Sequence, residues 1–335
     1  MIHKLLVIRF SALGDIAMTV PSVVSVCINH PEIEVTMLTS KMGEKIYRAV
    51  TSNVPNLHVR GINPHNDYPG IVGLNRLYKE LQNENFDAVA DLHDVLRTQW
   101  LRFRFGISGK MRKHINKGRK EKKALVAHKS NVQLKSGVVR YQEVFEKLGL
   151  NAQLSYDVAE VRKNMFYDVK GSHSVAIAPF AQHKGKIYPK EKMLEVIDLL
   201  LKENADRHIY LLGGPNEQAE LDIWAERCPE RIHNTAGRQF FAEDMALMAH
   251  LDCVVSMDSA NMHLASLVGT RVVSVWGATH IFAGFLGFGQ KEEDVVQLSL
   301  PCRPCSVYGN KPCKFGDYRC LSGIEPQQIV NRIIG

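Results

Sequence analysis

Apolar residues in this chain form short unbroken runs that alternate with longer stretches in which they recur every third or fourth position. The runs at Lys4–Phe10, Glu34–Thr39, Asn56–Val59 and Ala88–Asp91 predict buried strands. The stretches at Ile16–Ile28, Lys41–Val50, Ile71–Gln82 and Val95–Phe105 predict the helices between them, the first properly starting near Thr19 because Pro21 fits a first turn. An amphipathic helix over Val138–Leu148 follows, then mixed polar composition from Asn151 to Gly171. The alternation restarts with strands at Ser174–Ala178, His208–Leu212 and Ile232 and helices from Lys190, up to Arg227 and through Asp244 to Ala249. It ends with the strand Cys253–Met257, the helix Ala260–Val268, the strand Arg271–Trp276 closing the second sheet, and a short helix at Pro326–Ile334. Repeated strand–helix units predict α/β architecture with parallel sheets. At 335 residues the chain exceeds one comfortable core, so two domains are expected, 1–165 and 172–335.

Polar residues collect where predicted strands stop. Cys253–Met257 runs into Asp258-Ser259, both strong N-cap types, and a strand ending at a capped helix presents free N–H groups and the positive end of the helix dipole, where a phosphate binds. The first strand leads into Ser11-Ala12-Leu13-Gly14-Asp15; Gly14 permits close backbone approach, and Asp15 is either a helix cap or a functional acid at the mouth. Ala88–Asp91 delivers Asp91-Leu92-His93-Asp94 before a helix carrying Arg97, and Arg140 lies near the start of another; His93 is either a satisfied, partly buried histidine or a ligand contact. The loop Pro179–Pro189, with His183, Lys184 and Lys186, is placed to meet phosphate. Glu217, after a Gly-Gly turn, is either an ordinary first-turn glutamate or a ribose acceptor. No Gly-x-Gly-x-x-Gly or Gly-x-x-x-x-Gly-Lys is present, which weakens dehydrogenase and P-loop readings.

Charge and cysteines refine the picture. The formal charge of +7 points to an anionic partner. Lys110–Lys123 holds six lysines and two arginines against one glutamate and reads as a mobile basic loop. It lacks the interleaved aromatics that stack bases, so a phosphate-rich acceptor suits it better than nucleic acid. No apolar run approaches the ~20 residues of a spanning helix, and Arg9 and Asp15 interrupt the apolar N-terminus, so a cytoplasmic protein is expected. Cys27, Cys228 and Cys253 sit in apolar contexts, whereas Cys302, Cys305, Cys313 and Cys320 cluster. That cluster is open to a structural zinc, a disulfide or reduced packing.

Taken together, Ser11-Ala12-Leu13-Gly14-Asp15, Asp91-Leu92-His93, Lys186-Ile187-Tyr188-Pro189, Gly214-Pro215-Asn216-Glu217 and Asp258-Ser259 followed by His263 resemble, in order over nearly the whole chain, glycosyltransferase family 9. This is the lipopolysaccharide heptosyltransferase-like family. The resemblance implies a GT-B fold, two Rossmann-like domains with parallel sheets facing across a cleft, the N-terminal one binding acceptor and the C-terminal one an ADP-activated sugar. The implied activity is inverting transfer of a sugar, a heptose foremost, to a lipopolysaccharide core or related phosphorylated glycolipid. No cofactor is implied, and peripheral contact with the cytoplasmic face of the inner membrane fits such an acceptor. Carried over residue by residue, Asp15 is the base, Lys186 contacts the donor diphosphate, Glu217 binds the nucleotide, and Asp258 with Ser259 opens the phosphate helix. His263 and Gly14 fall on the donor side, and Asp91, His93, Arg97 and Arg140 on the acceptor side. Ala181-Gln182 and Gly277-Ala278-Thr279 depart from the usual pattern, which bears on the donor sugar. The chemistry agrees: one base and a cationic grip on the departing diphosphate suffice for inversion, and no Asp-x-Asp pair calls for a metal. The rival readings are a nucleotide-sugar epimerase of the same architecture and a non-enzymatic anion or nucleic-acid binder.

Overall fold

The computed structural model describes residues 1–51 and 53–335. Its first sheet contains β1 (Lys4–Arg9), β2 (Glu34–Ser40), β3 (Leu57–Ile62), β4 (Ala88–Asp91) and β5 (Met111–His114), all parallel in the order β3-β2-β1-β4-β5. The second contains β6 (Val175–Ala178), β7 (Ile209–Leu211), β8 (Ile232–Asn234), β9 (Cys253–Met257), β10 (Arg271–Trp276) and β11 (Val295–Gln297), parallel in the order β11-β10-β9-β6-β7-β8. The central strands are buried along almost their whole length, so they read as continuous apolar runs rather than alternating ones. In both sheets the order reverses beside the first strand, β1 lying between β2 and β4 and β6 between β7 and β9. The carboxyl ends flanking such a reversal are where open α/β sheets bind ligands.

Two expected boundaries shift. The basic stretch from Lys110 is not one mobile loop: it holds edge strand β5 and the helix Arg119–Val126, whose Leu125 is buried. β11 lies beyond β10, so Arg271–Trp276 does not close the second sheet. The domain division also differs from 1–165 and 172–335. One compact unit comprises residues 1–117 and 135–157, the other 118–134 and 158–335. The excursion of 118–134 is held by hydrogen bonds from Leu134 N–H to Phe282 O (2.9 Å) and Gln133 Nε2 to Ile281 O (3.2 Å). The helix Val158–Lys163 joins the same unit because Arg162 donates to Ala249 O and Val158 packs on the bare backbone of Gly269. The terminal helix Pro326–Ile334 packs on the helix Lys190–Glu203, with the Tyr188 hydroxyl donating to Ile324 O at 2.8 Å.

Candidate active site

In the first unit the reversal point gathers residues from the ends of β1 and β4. Arg9, the last residue of β1, is 4% exposed, and its Nη2 lies 2.7 Å from Asp15 Oδ2 while Nη1 donates to Leu92 O at 2.5 Å. The Arg9 guanidinium also lies 5.6 Å from the Tyr141 ring centroid, and the Tyr141 hydroxyl donates to Asp15 O at 3.3 Å. Asp15 sits in the short helix Leu13–Ala17 with its side chain 45% exposed. It reaches back to Ala12 N–H only at 3.4 Å, and alanine has no oxygen to reciprocate, so the capping role is half of a capping box. Gly14 occupies that helix's second position rather than an open turn.

His93 is buried beside this acid. Burial, with the positive charges of Arg9 and Lys117, pushes its imidazole down to about 3, so the ring is neutral near pH 7. Its Nδ1 accepts from Phe10 N–H at 3.4 Å, which leaves Nε2–H to donate to Ser11 Oγ, 3.2 Å away. Three residues expected on the acceptor side are engaged by their own surroundings. Asp91 is fully buried: Oδ1 accepts from the His93 and Asp94 amides at 2.9 and 2.8 Å, and Oδ2 from Arg102 Nη1 at 3.0 Å, so this carboxylate shapes the turn that presents His93. Arg140, 4% exposed, donates to Lys135 O at 3.2 Å and Asn116 O at 3.1 Å, bracing the segments on either side of the 118–134 excursion. Arg97 donates to Tyr68 O at 2.9 Å and approaches His65 Nδ1 at 3.3 Å, which spends it on a neighbouring loop.

In the second unit, three strand ends converge. Lys186 closes a 3-10 turn, Lys184–Lys186, in the loop that follows β6; its Nζ lies 2.9 Å from Oδ2 of Asp258, which follows β9. The Thr279 hydroxyl, from the loop after β10, donates to the same oxygen at 2.7 Å. Both charged side chains are largely buried, 15% and 4% exposed. Asp258 therefore does not cap the following helix, as its position suggested: its oxygen is engaged by Lys186 and Thr279. Ser259 holds the N-cap position of Ala260–Leu267 in an extended conformation, its hydroxyl 3.2 Å from Ser256 Oγ instead of on a helix amide. His263 is half-buried one turn into that helix. Glu217 ends another 3-10 turn, where Oε2 accepts from Gly214 N–H at 2.7 Å.

The cysteine-rich segment braces this site. Arg303, 7% exposed, donates to Gly277 O at 2.5 Å, Thr279 O at 2.9 Å and Gln297 Oε1 at 3.0 Å. The amides of Cys305 and Ser306 donate to Ala278 O at 3.1 and 3.2 Å, and Ala278 N–H donates to Gly185 O at 2.8 Å, beside Lys186. Gly309 has a φ of +75°, and a Cβ there would lie 2.6 Å from Lys186 Cγ, so bare backbone lies against the lysine stem. Cys302, Cys305, Cys313 and Cys320 are free thiols, and burial pushes Cys320 up to about 11. Among the described residues no group of three or more His, Cys, Asp or Glu side chains is arranged to hold a metal ion. A cavity of about 580 Å³ lies between the helix Arg119–Val126 and residues 306–311, lined by Arg119, Lys122, Lys123, Lys311 and Tyr308.

Sequence reasoning missed Arg9, Thr279, Arg102 and Arg303 as working residues. Arg9 carried a signal, a charge directly after the apolar run 5–8.

The profile of Glycosyltransferase family 9 (heptosyltransferase) matches residues 74–315. The chain belongs to this family. It is 28% identical to lipopolysaccharide heptosyltransferase 3 of Escherichia coli (strain K12), over 80% of this chain and 81% of that protein. It is 24% identical to the lipopolysaccharide core heptosyltransferase OpsX of Haemophilus influenzae, over 82% and 78% of the two chains. Among solved structures, a family 9 glycosyltransferase from Veillonella parvula superposes with a TM-score of 0.72 at 17% identity, covering 99% of this chain and 97% of that one. The E. coli heptosyltransferase WaaC with ADP-2-deoxy-2-fluoro heptose superposes at 0.70 and 18% identity, over 99% and 98%. The two-sheet architecture is thus the GT-B fold, and this family 9 chain is a glycosyltransferase of the heptosyltransferase type. None of its helices, among the described residues, is long and apolar enough to cross a membrane.

Proposed function

We propose that this enzyme transfers a heptose, with inversion, from an ADP-activated donor to a phosphorylated glycolipid of the lipopolysaccharide core type. The observation that carries the donor half is the pairing of Lys186 with Asp258 at the carboxyl ends flanking the β6/β9 reversal, in a chain whose family relatives are heptosyltransferases. In this reading Asp15 takes the proton from the acceptor hydroxyl as its oxygen attacks the anomeric carbon. The bond from that carbon to the β-phosphate oxygen breaks, and its electron pair leaves with ADP. Lys186 and the first-turn amides of Ala260–Leu267 meet the negative charge that develops on the diphosphate, while Glu217 and His263 contribute on the donor side. Arg9 and the neutral His93 position the acid and its neighbouring Ser11. A phosphorylated acceptor is supported by the four cations lining the cavity beside residues 306–311. Peripheral contact with a membrane surface accompanies such an acceptor. The epimerase and nucleic-acid readings have no comparable support.

Calorimetric titration with ADP, ADP-heptose and UDP tests the donor half. ADP and ADP-heptose should bind, and Lys186→Ala should weaken both at least ~10-fold, as loss of a charge-assisted contact does. Unchanged affinity in that variant removes Lys186 from the donor site.

A further inference from the structure

The helix Leu96–Ile107 turns an apolar face to solvent. At 3.6 residues per turn, Leu96, Trp100, Phe103 and Ile107 fall within about 60° of one another, opposite the buried Thr98, Leu101 and Phe105. Leu96 is 86%, Phe103 54% and Ile107 69% exposed. The stripe is extended by Ile71 and Val72, 62% and 84% exposed, at the start of the helix Gly70–Gln82, which is tied alongside by Arg104 Nη1 donating to Asn75 Oδ1 at 2.5 Å. A helix that simply faces water carries polar residues in that place. The surrounding charge is mostly positive: Arg97 and Arg104 lie beside the stripe, Lys110, Arg112 and Lys113 follow it, Leu96–Ile107 contains no acidic residue, and the nearby Asp94 is paired with Arg102 at 3.4 Å.

We infer that this face docks the enzyme on an anionic lipid leaflet. Leu96, Phe103 and Ile107 enter the acyl boundary, the half-buried Trp100 packs behind Phe103, and Arg112 with Lys110 and Lys113 meets the phosphates. A second copy of the chain is the competing occupant, but an isologous pairing of this face would oppose like charges around the apolar stripe. Leu96 follows His93 by three residues, so a docked helix holds the carboxyl end of β4 beside the leaflet. That this brings a glycolipid acceptor to the site rests on the transferase reading; the docking itself does not.

The test uses the full chain with vesicles of phosphatidylglycerol and phosphatidylcholine, and of phosphatidylcholine alone. Of the three tryptophans, Trp224 and Trp276 are 4% and 0% exposed, so a change in emission reports Trp100. The anionic vesicles should shift the emission to the blue and co-sediment the protein about tenfold or more better than the neutral ones at low salt. Phe103→Asp with Ile107→Asp, both at exposed positions, should reduce co-sedimentation at least ~10-fold while melting temperature and ADP affinity stay unchanged. Equal binding by parent and variant, no binding to anionic vesicles, or a lipid-free dimer that the double variant dissociates would each overturn the inference. ADP binding serves as the separate readout of the transferase reading.

Discussion

The Lys186–Asp258 pair is open to a double-mutant cycle. At 2.9 Å the gross attraction between the two charges is about 6 kcal/mol in an effective dielectric of ~20, and most of it is offset by desolvation. Removing one member of a buried pair costs ~3–5 kcal/mol, because the other stays behind uncompensated. Lys186 keeps 15% exposure and Asp258 keeps its hydrogen bond from Thr279, which puts each single substitution at the lower end, about 3 kcal/mol. Asp258→Asn and Lys186→Met should therefore each lower the melting temperature by about 6–12 °C. The double variant should recover part of that loss, with a coupling of about 2 kcal/mol, since it leaves no stranded charge. Denaturant unfolding of the four proteins measures the cycle. Single-variant losses that add to within ~0.5 kcal/mol would show that the two groups do not depend on one another.

Arg303→Met should destabilise by about 3 kcal/mol or more, because it strands the buried carbonyls of Gly277 and Thr279; it should also weaken ADP binding by loosening the loop that carries Thr279, and calorimetry reads both. His93, pushed down to about 3 in the folded chain, stays unprotonated over a range where the unfolded chain takes up a proton. Its contribution to stability is therefore present above about pH 6.5 and is lost as pH falls toward 3, with a slope of at most ~1.4 kcal/mol per pH unit that solvent screening reduces. His93→Asn should flatten that limb in pH-dependent unfolding, and an unchanged slope would remove His93 as its source. Turnover should persist in excess chelator if lysine and helix amides alone hold the diphosphate; loss of turnover that added divalent cation restores would assign that charge to a metal.

The central strands and most helices were legible because a strand buried on both faces reads as an apolar run, and Ala88–Asp91, Cys253–Met257 and Arg271–Trp276 keep the expected bounds. β5 was not legible. Its sequence Met-Arg-Lys-His has no apolar period, and backbone pairing from Ala88↔Met111 to Asp91↔His114 makes it a strand. The crossing of residues 118–134 to the other unit depends on tertiary hydrogen bonds from Gln133 and Leu134, which leave no local trace. At the strand ends the pattern located the site but not the direction of each side chain. Asp91 and Asp15 both follow or terminate buried strands, yet one is enclosed by amides and Arg102 while the other keeps a 45% exposed side chain. Asp258 looked like a cap because its neighbours in sequence begin a helix; Lys186 and Thr279, distant in sequence, hold its carboxylate instead.

The most direct test of the account is the turnover of Asp15→Asn. Asparagine keeps the shape that Arg9 grips and remains a good helix-start residue, but it cannot take a proton. Donor binding, read by calorimetry with ADP-heptose, should stay within about twofold, while transfer to acceptor should fall by roughly 10² or more. Transfer within about threefold of the parent, at unchanged donor affinity, would contradict the assignment of Asp15 as the base.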